Sequence, residues 1–217
     1  RAVIADEAAY AKIWGQIFGE IPRDEVDAAA RGRMDWGTVR EDDAVEELLR
    51  QLPGTIVYEL GIIDHPAYDW MAASPDGLVA RIKVDAQNNP VRGADGKLQV
   101  LEFLNLEIKA PGYDHYPDLA KMAKALSKKK TPPYYYIPQI HFEMVMSRVR
   151  TTLFYMWTPT RSHLWRIDFD DRYWTQTVQI LDAFRKRLLP FRHLKARVEQ
   201  WKSVTMAMAW KMKDLTV

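Results

Sequence analysis

The chain of 217 residues contains no cysteine. This absence excludes disulfides, thiolate nucleophiles and zinc sites with cysteine ligands, and it is typical of proteins in a reducing compartment. No apolar run is long enough to cross a bilayer, and the sequence shows no signal peptide. We therefore expect an intracellular protein. Because the sequence begins at Arg1 and not at a methionine, we also expect a fragment or a processed form.

Charge of one sign is not in large excess, since the formal net charge is only +2. The charges are nevertheless unevenly distributed: residues 41–47 are rich in acids, whereas Lys128, Lys129 and Lys130 form a basic run and residues 185–202 are largely basic. Such asymmetry favours a polyanionic partner that touches part of the surface. Taken singly, each basic run is more typical of a solvated helix face.

Hydrophobic residues make up 47% of the chain, which is enough for one sizeable core. The periodicity predicts helices over 8–19, 24–32 and 42–52, strands over 55–63, 78–84 and 98–109, helices over 116–126 and after Pro138, a strand hairpin over 151–169, and basic helices over 174–208. This order predicts an α+β fold with a mixed sheet flanked by helices. We expect a single domain over residues 1–217, with its core at about 34–170, N-terminal helices over 1–33 and a basic helical region over 171–217.

The strand over 98–109 ends in two charged residues, Glu107 and Lys109. Side chains alternate between the two faces of a strand, so these two side chains point the same way. Asp76 stands where the preceding strand begins, and we expect Gly77 to let the backbone turn there. The loop over 87–96 is rich in Asn and Gly and predicts an antiparallel hairpin, which would bring Asp76 close to Glu107.

Two carboxylates from neighbouring strands make an oxygen-rich site of the kind that Mg²⁺ or Mn²⁺ prefers. A metal ion there would polarise a phosphate and lower the pKa of a bound water. Lys109 could then stabilise the pentacovalent transition state. The alternatives are an ordinary ion pair between Glu107 and Lys109 and a turn residue in Asp76.

The order SPDG, then EIK, resembles the signature of the PD-(D/E)XK nucleases. Two helical segments narrow the resemblance to the group of lambda exonuclease and the herpesvirus alkaline nucleases. MDWGTVREDDAVEELL resembles the G-x-x-x-E-x-x-A helix of that group through Gly37, Glu41 and Ala44, and YYYIPQIHFEM resembles its Y-x-x-Q-x-Q helix through Tyr136 and Gln139. The four segments appear in the order of the group and span the central half of the chain. The resemblance implies a restriction-endonuclease-like core.

The same resemblance implies roles at the site. Asp76, Glu107 and the backbone carbonyl of Ile108 would bind the metal, which we expect to be Mg²⁺, with Mn²⁺ able to substitute. Lys109 would assist the attacking water and the phosphate. Glu41 would hold a second metal or orient a metal-bound water.

Further candidates would act on the water or on DNA. Gln139 would orient the water or a ligand, and Tyr136 would support its helix or contact DNA. Ser74 of the SPDG segment, Arg81 and the run Lys128–Lys130 are candidate DNA contacts. A solvated surface is the alternative for Arg81 and for the lysines.

The sequence departs from the group at two places. His141 stands where the group often has a second Gln, and we expect it to lie on a helix face or in a pocket without binding metal. The N-terminal Trp/Arg segment that holds the DNA end in lambda-type enzymes has no clear counterpart in residues 1–30. This departure leaves the preference for DNA ends open.

The resemblance implies a metal-dependent deoxyribonuclease that degrades double-stranded DNA, in the 5′→3′ direction, during phage or viral recombination. It also implies a single-strand annealing protein as partner, a homotrimer, and a host cytoplasmic or nuclear location if the source is viral. One alternative is an endonuclease of the same fold that also cuts RNA. Another is a non-catalytic DNA-binding protein on a nuclease scaffold.

Overall fold

The computed structural model describes residues 7–17, 19–20, 22–111, 131–186, 191–209 and 213–215. The helix expected over 116–126 and the lysines 128–130 lie outside these ranges. The helices are α1 Glu7–Ile17, α2 Ala28–Gln51, α3 Ile137–Ser147, α4 Asp171–Arg185 and α5 Phe191–Ala209, and a 3-10 turn over Tyr134–Tyr136 precedes α3. The strands are β1 Thr55–Tyr58, β2 Ile63–Asp64, β3 Ala72–Ala73, β4 Gly77–Ile82, β5 Val100–Lys109, β6 Thr151–Thr158, β7 Arg161–Asp168 and β8 Lys213–Asp214.

Six of these described strands form one mixed sheet in the order β1-β4-β5-β6-β7-β8. The β5–β6 pair is parallel, and the remaining pairs of this sheet are antiparallel. β2 and β3 pair separately as a small sheet that contacts α3. The predicted α+β class, with a mixed sheet flanked by helices, is confirmed.

Helix α2 is longer than the sequence predicted. The pattern indicated separate helical segments over 24–32 and 42–52, whereas the structure has one helix of 24 residues. Asp27 caps its N-terminus, since its side chain accepts a hydrogen bond of 2.6 Å from the amide of Ala30. The predicted domain boundary at residue 34 therefore falls inside a helix. The assignment of residues 1–217 to one domain stays a prediction.

The strand expected over 55–63 is shorter in the structure. β1 stops at Tyr58, which is paired with Leu78 near the start of β4. The chain leaves the sheet after this pair, and Ile63 pairs instead with Ala73. The β4–β5 hairpin and the β6–β7 hairpin are antiparallel as predicted.

Two apolar clusters cover the two faces of the sheet. The α2 side contains Ala44, Leu48, Val79, Leu104, Leu106, Ile108, Leu153, Tyr155, Trp157 and Leu164. The α3 side contains Ile137, Ile140, Met144, Phe154, Met156, Trp165, Ile167, Tyr173 and Ala209. Strand β6 contributes to both clusters, which explains its uninterrupted apolar sequence. Glu107 and Lys109 belong to the α3 face, since they pair with Phe154 and Met156.

Candidate active site

Asp76 lies beside the end of β5 because the first residue of β4 already pairs with β5. Gly77 pairs with Leu106, so Asp76 lies beside Glu107. The Oδ2 atom of Asp76 accepts a hydrogen bond of 2.6 Å from the backbone amide of Ile108. One carboxylate oxygen is thus held against the backbone of the EIK segment.

The sequence predicted that Gly77 lets the backbone turn, but the structure gives this glycine a different role. Its φ is not in the left-handed region, so it does not provide an unusual turn. A Cβ atom at Gly77 would lie 3.1 Å from Cγ1 of Val57 and 3.2 Å from the carbonyl oxygen of Tyr58. A side chain at this position would therefore be crowded by β1, which runs close beside it.

Glu107 and Lys109 form an ion pair on the α3 face of the sheet. The Glu107 side chain is 1% exposed and the Lys109 side chain 27% exposed, so the pair opens to solvent on the lysine side. The Nζ atom of Lys109 also lies 5.6 Å from the ring centroid of Tyr136. This position places the Tyr136 ring against the candidate catalytic lysine.

Gln139 joins helix α3 to the end of β5. Its Nε2 atom donates hydrogen bonds to Oε1 of Glu107 at 2.7 Å and to Oε1 of Glu143 at 2.8 Å. The structure therefore brings Gln139 together with Glu107 and Lys109. It also adds Glu143, which the sequence reasoning missed because the motif of the resemblance stops before it. Its position four residues after Gln139 on a helix was the available signal.

Glu41 of α2 faces the same group from the other side. Burial and the nearby Asp76 carboxylate raise the pKa of Glu41, while Lys109 opposes the rise. Its approach follows from α2, whose Gly37 would place a Cβ atom 3.9 Å from the carbonyl oxygen of Ala110. Glu41 thus shares the electrostatic environment of the site, and its assignment to a second metal stays a prediction.

Burial dominates the electrostatics of the carboxylates. It raises the pKa of Asp76, raises that of Glu107 to about 7 and raises that of Glu143 to about 9. The positive charge of Lys109 opposes the shift at Glu107. Burial alone would lower the pKa of Lys109, but Glu107 and Asp76 outweigh it and the pKa is raised. Lys109 is therefore a cation at neutral pH.

The donor set of this site fits a hard divalent cation. The Oε2 atom of Glu107 is buried and accepts no hydrogen bond from the described residues, so it is an oxygen in need of a positive partner. Asp76 and the carbonyl of Ile108 can supply further oxygens, and waters would complete the shell. Among the residues that the structure describes, no group of three or more His, Cys, Asp or Glu side chains is close enough to bind a metal.

The candidate DNA contacts are spread more widely. Ser74 is exposed and lies two residues before Asp76 in the sequence, and its contact with DNA stays a prediction. Arg81 lies further along β4, where its guanidinium donates to Oγ1 of Thr55 and, at 3.4 Å, to the carbonyl oxygen of Leu52. These contacts join Arg81 to the connection between α2 and β1, and its contact with DNA stays a prediction.

His141 is buried on α3 with 0% exposure. Its Nδ1 atom lies 3.0 Å from the carbonyl oxygen of Ile137, and its Nε2 atom accepts a hydrogen bond of 3.3 Å from the amide of Asp170. Burial lowers the pKa of His141 to about 4. His141 thus joins α3 to the start of α4, in keeping with the expected role on a helix face.

A cavity of about 570 Å³ lies between α2 and the β6–β7 turn, on the other face of the sheet from Glu107. Its charged lining is partly paired, since Arg40 contacts Asp43 at 2.7 Å and Arg50 contacts Glu47 at 2.9 Å. The candidate catalytic residues do not line it.

Two solved structures share this fold. The alkaline exonuclease LHK-Exo from Laribacter hongkongensis matches with a TM-score of 0.52 and 24% sequence identity, over 94% of this chain and 86% of that chain. LHK-Exo in complex with dAMP matches with a TM-score of 0.50 and 21% identity, over 97% of this chain and 89% of that chain. No curated protein matches the sequence.

A model of the YqaJ-like viral recombinase domain matches residues 3–150, which is more than half of the chain. The matched range includes Glu41, Asp76, the EIK segment and Gln139. The match confirms the resemblance to the lambda exonuclease-like branch of the PD-(D/E)XK nucleases. The family and the fold together support a nuclease. The chain therefore belongs to the YqaJ-like viral recombinase domain family.

Proposed function

We propose that this protein is a Mg²⁺-dependent exonuclease that degrades double-stranded DNA in the 5′→3′ direction. The observation that carries the proposal is the meeting of Asp76, Glu107, Lys109 and Gln139 at the end of β5. Such a group of buried carboxylates beside a cationic lysine suits the hydrolysis of a phosphodiester. The fold shared with an alkaline exonuclease supports the exonuclease part of the proposal.

Each side chain has a defined task in this proposal. Asp76, Glu107 and the Ile108 carbonyl would hold the metal, which supplies polarisation of the phosphate and a bound water of lowered pKa. Lys109, which carries its proton at neutral pH, stabilises the negative charge that develops on the phosphate oxygens. Gln139 orients groups beside Glu107 through its amide.

The exposed part of the site defines where DNA would enter. Lys109 and Gln139 are accessible, whereas Glu107 is buried behind them. Tyr135 is 40% exposed, and its ring centroid lies 4.6 Å from that of Tyr136. We propose that DNA approaches over this tyrosine side, with Tyr136 supporting Lys109. We also propose that the lysines 128–130 contact the DNA phosphate backbone, and this proposal rests on their positive charge in the sequence alone.

Three further proposals come from the family. They are a single-strand annealing protein as partner, a homo-oligomer, and a reducing intracellular compartment, which the cysteine-free sequence supports. Among the helices that the structure describes, none combines the length and the apolar character needed to span a membrane.

The proposal is tested with three DNAs: a linear duplex labelled at its 5′ ends, a linear duplex labelled at its 3′ ends, and a covalently closed circle. Each is incubated with the parent protein in Mg²⁺, in Mn²⁺ and in EDTA, and with Lys109→Met in Mg²⁺. We expect both linear duplexes to be degraded, the circle to survive, and EDTA or the substitution to stop the reaction. Early release of the 5′ label as a mononucleotide establishes the direction.

Lys97→Met is the matched control, because Lys97 is an exposed lysine of the loop between β4 and β5. It should cut like the parent. Cleavage of the circle would replace the exonuclease with an endonuclease. Binding of DNA without cleavage in either metal would replace the enzyme with a DNA-binding protein on a nuclease scaffold.

A further inference from the structure

Glu143 is a buried carboxylate that the proposed reaction does not use directly. Its side chain is 3% exposed, and its Oε1 atom accepts the hydrogen bond of 2.8 Å from Nε2 of Gln139. The same nitrogen donates to Oε1 of Glu107 at 2.7 Å. An amide nitrogen carries two hydrogens, and here each one is directed to a carboxylate from a different element.

This arrangement is unfavourable for stability alone. The Oε2 atom of Glu143 is buried and makes no hydrogen bond of normal geometry among the described residues, although the Glu143 carboxyl also interacts directly with that of Glu107. Glu143 also faces the carboxylates of Glu107 and Asp76. A buried carboxyl with an unpartnered oxygen costs free energy of folding, and an apolar side chain of similar volume is often neutral or stabilising in its place. Such local costs are typical of functional sites.

The contact supplies orientation to Gln139. Residue Gln139 is exposed, and the terminal torsion of a glutamine side chain has broad preferences, so a single hydrogen bond to Glu107 would leave its amide plane free to turn. A second anchor at Glu143 defines the plane. It also fixes which end of the amide carries the oxygen, because the nitrogen faces both carboxyl groups and the oxygen therefore points away from them.

We propose that Glu143 is a positioning residue that holds the Gln139 amide beside Glu107, so that the amide oxygen presents a fixed acceptor to a donor in the reacting complex. This inference rests on the proposed nuclease function. Glu143 itself does not contact the substrate in this proposal, and it acts through Gln139.

The test compares Glu143→Leu, Glu143→Gln, Gln139→Ala and the double variant Gln139→Ala with Glu143→Leu. We expect Glu143→Leu to lower kcat on linear duplex DNA about 10- to 100-fold, with KM unchanged and a melting temperature equal to or above that of the parent. Glu143→Gln keeps an acceptor oxygen and should restore most of the lost kcat. In the Gln139→Ala background, Glu143→Leu should lower kcat less than about 2-fold further.

Met146→Leu is the control for repacking of α3, since Met146 is buried one turn beyond Glu143 without being part of the site. It should keep the parental kcat. An unchanged kcat in Glu143→Leu, a loss of activity that merely follows a lower melting temperature, or fully additive effects of the two substitutions would each overturn the inference.

A second readout does not depend on activity. The side-chain amide protons of Gln139, assigned through their absence in Gln139→Ala, should exchange slowly with water in the parent and rapidly in Glu143→Leu. Equal exchange in both proteins would refute the positioning contact. If the parent cuts no DNA, the nuclease proposal fails on that result, and the amide exchange still decides whether Glu143 holds Gln139.

Discussion

The Asp76 carboxylate is fixed by the backbone of Ile108, whose amide donates to Oδ2 at 2.6 Å. One aspartate from the start of β4 is thereby coupled to the backbone between Glu107 and Lys109, the two charged residues at the end of β5. The sheet register sets the distance between the candidate metal ligands, so rigid pairing of two strands determines the geometry of the site.

Asp76→Asn should abolish most activity without unfolding the protein. Asparagine keeps an oxygen that can accept from Ile108 but loses the negative charge that a divalent cation needs. We expect activity to fall about 100-fold or more, because a metal contributes several kcal/mol to catalysis. Calorimetric titration with Mn²⁺ should show weaker binding. Because burial disfavours the Asp76 charge, a large drop in melting temperature would contradict this interpretation.

Lys109→Met should separate transition-state stabilisation from DNA binding. The substitution keeps the apolar stem and removes the charge, so we expect kcat to fall about 100- to 1,000-fold while KM changes little. The pKa of Glu107 should rise further, because Lys109 now lowers it. Steady-state kinetics and titration of Glu107 by NMR measure the two effects. A rise in KM at unchanged kcat would mean that Lys109 only grips DNA.

Glu107 should make the metal-free protein less stable as the pH rises. Burial raises its pKa from 4.5 to about 7, so the folded state binds the proton more tightly than the unfolded chain does. The resulting stability is present below pH 4.5 and is lost as the pH rises through about 7. Urea denaturation in EDTA should therefore show a smaller loss between these pH values in Glu107→Gln than in the parent. An equal dependence of the unfolding free energy on pH in the two proteins would contradict the raised pKa of Glu107.

His141 should make the protein less stable as the pH falls. Burial lowers its pKa from 6.5 to about 4, so the stability that it contributes is present above pH 6.5 and is lost as the pH falls towards 4. At pH 5 we expect a loss of about 2 kcal/mol relative to neutral pH. His141→Gln does not titrate and should show a smaller loss in urea denaturation over this range. A variant that loses as much as the parent would contradict the assignment.

Gly77→Ala should destabilise the sheet near the site. The new methyl group would meet Val57 and the carbonyl of Tyr58 at little more than 3 Å, which forces β1 and β4 apart. We expect a loss of about 1–3 kcal/mol in the free energy of unfolding, measured with urea. Gly61→Ala is the control, since a Cβ atom there meets nothing within 4 Å. Similar losses in both variants would exclude the close approach of β1 as the cause.

Local sequence signals predicted much of the candidate site. Alternation along a strand placed Glu107 and Lys109 on one face, and the loop over 87–96 predicted the antiparallel hairpin that brings Asp76 to them. Helical spacing placed Gln139 on the helix after Pro138. These features depend on neighbours in the chain or on a single hairpin, so the residues that determine them are close in sequence.

Other features depended on contacts between distant segments. The residues of β1 that join the sheet are set by its pairing with β4, and the crowding at position 77 follows from the approach of β1. Glu143 illustrates the same limit, because a charged residue on a helix predicts a solvated position and only the packing of α3 onto the sheet buries it.

The sequence by itself determined the α+β class, the family and the order of the candidate catalytic residues, since these follow from periodicity and from motifs that lie along the chain. The tertiary structure alone decided which side chains share a buried environment. The parallel β5–β6 pair and the packing of α3 bring Glu107, Gln139 and Glu143 into contact across 37 positions of the sequence. That contact sets their protonation, because burial and mutual repulsion act only once the chain has folded.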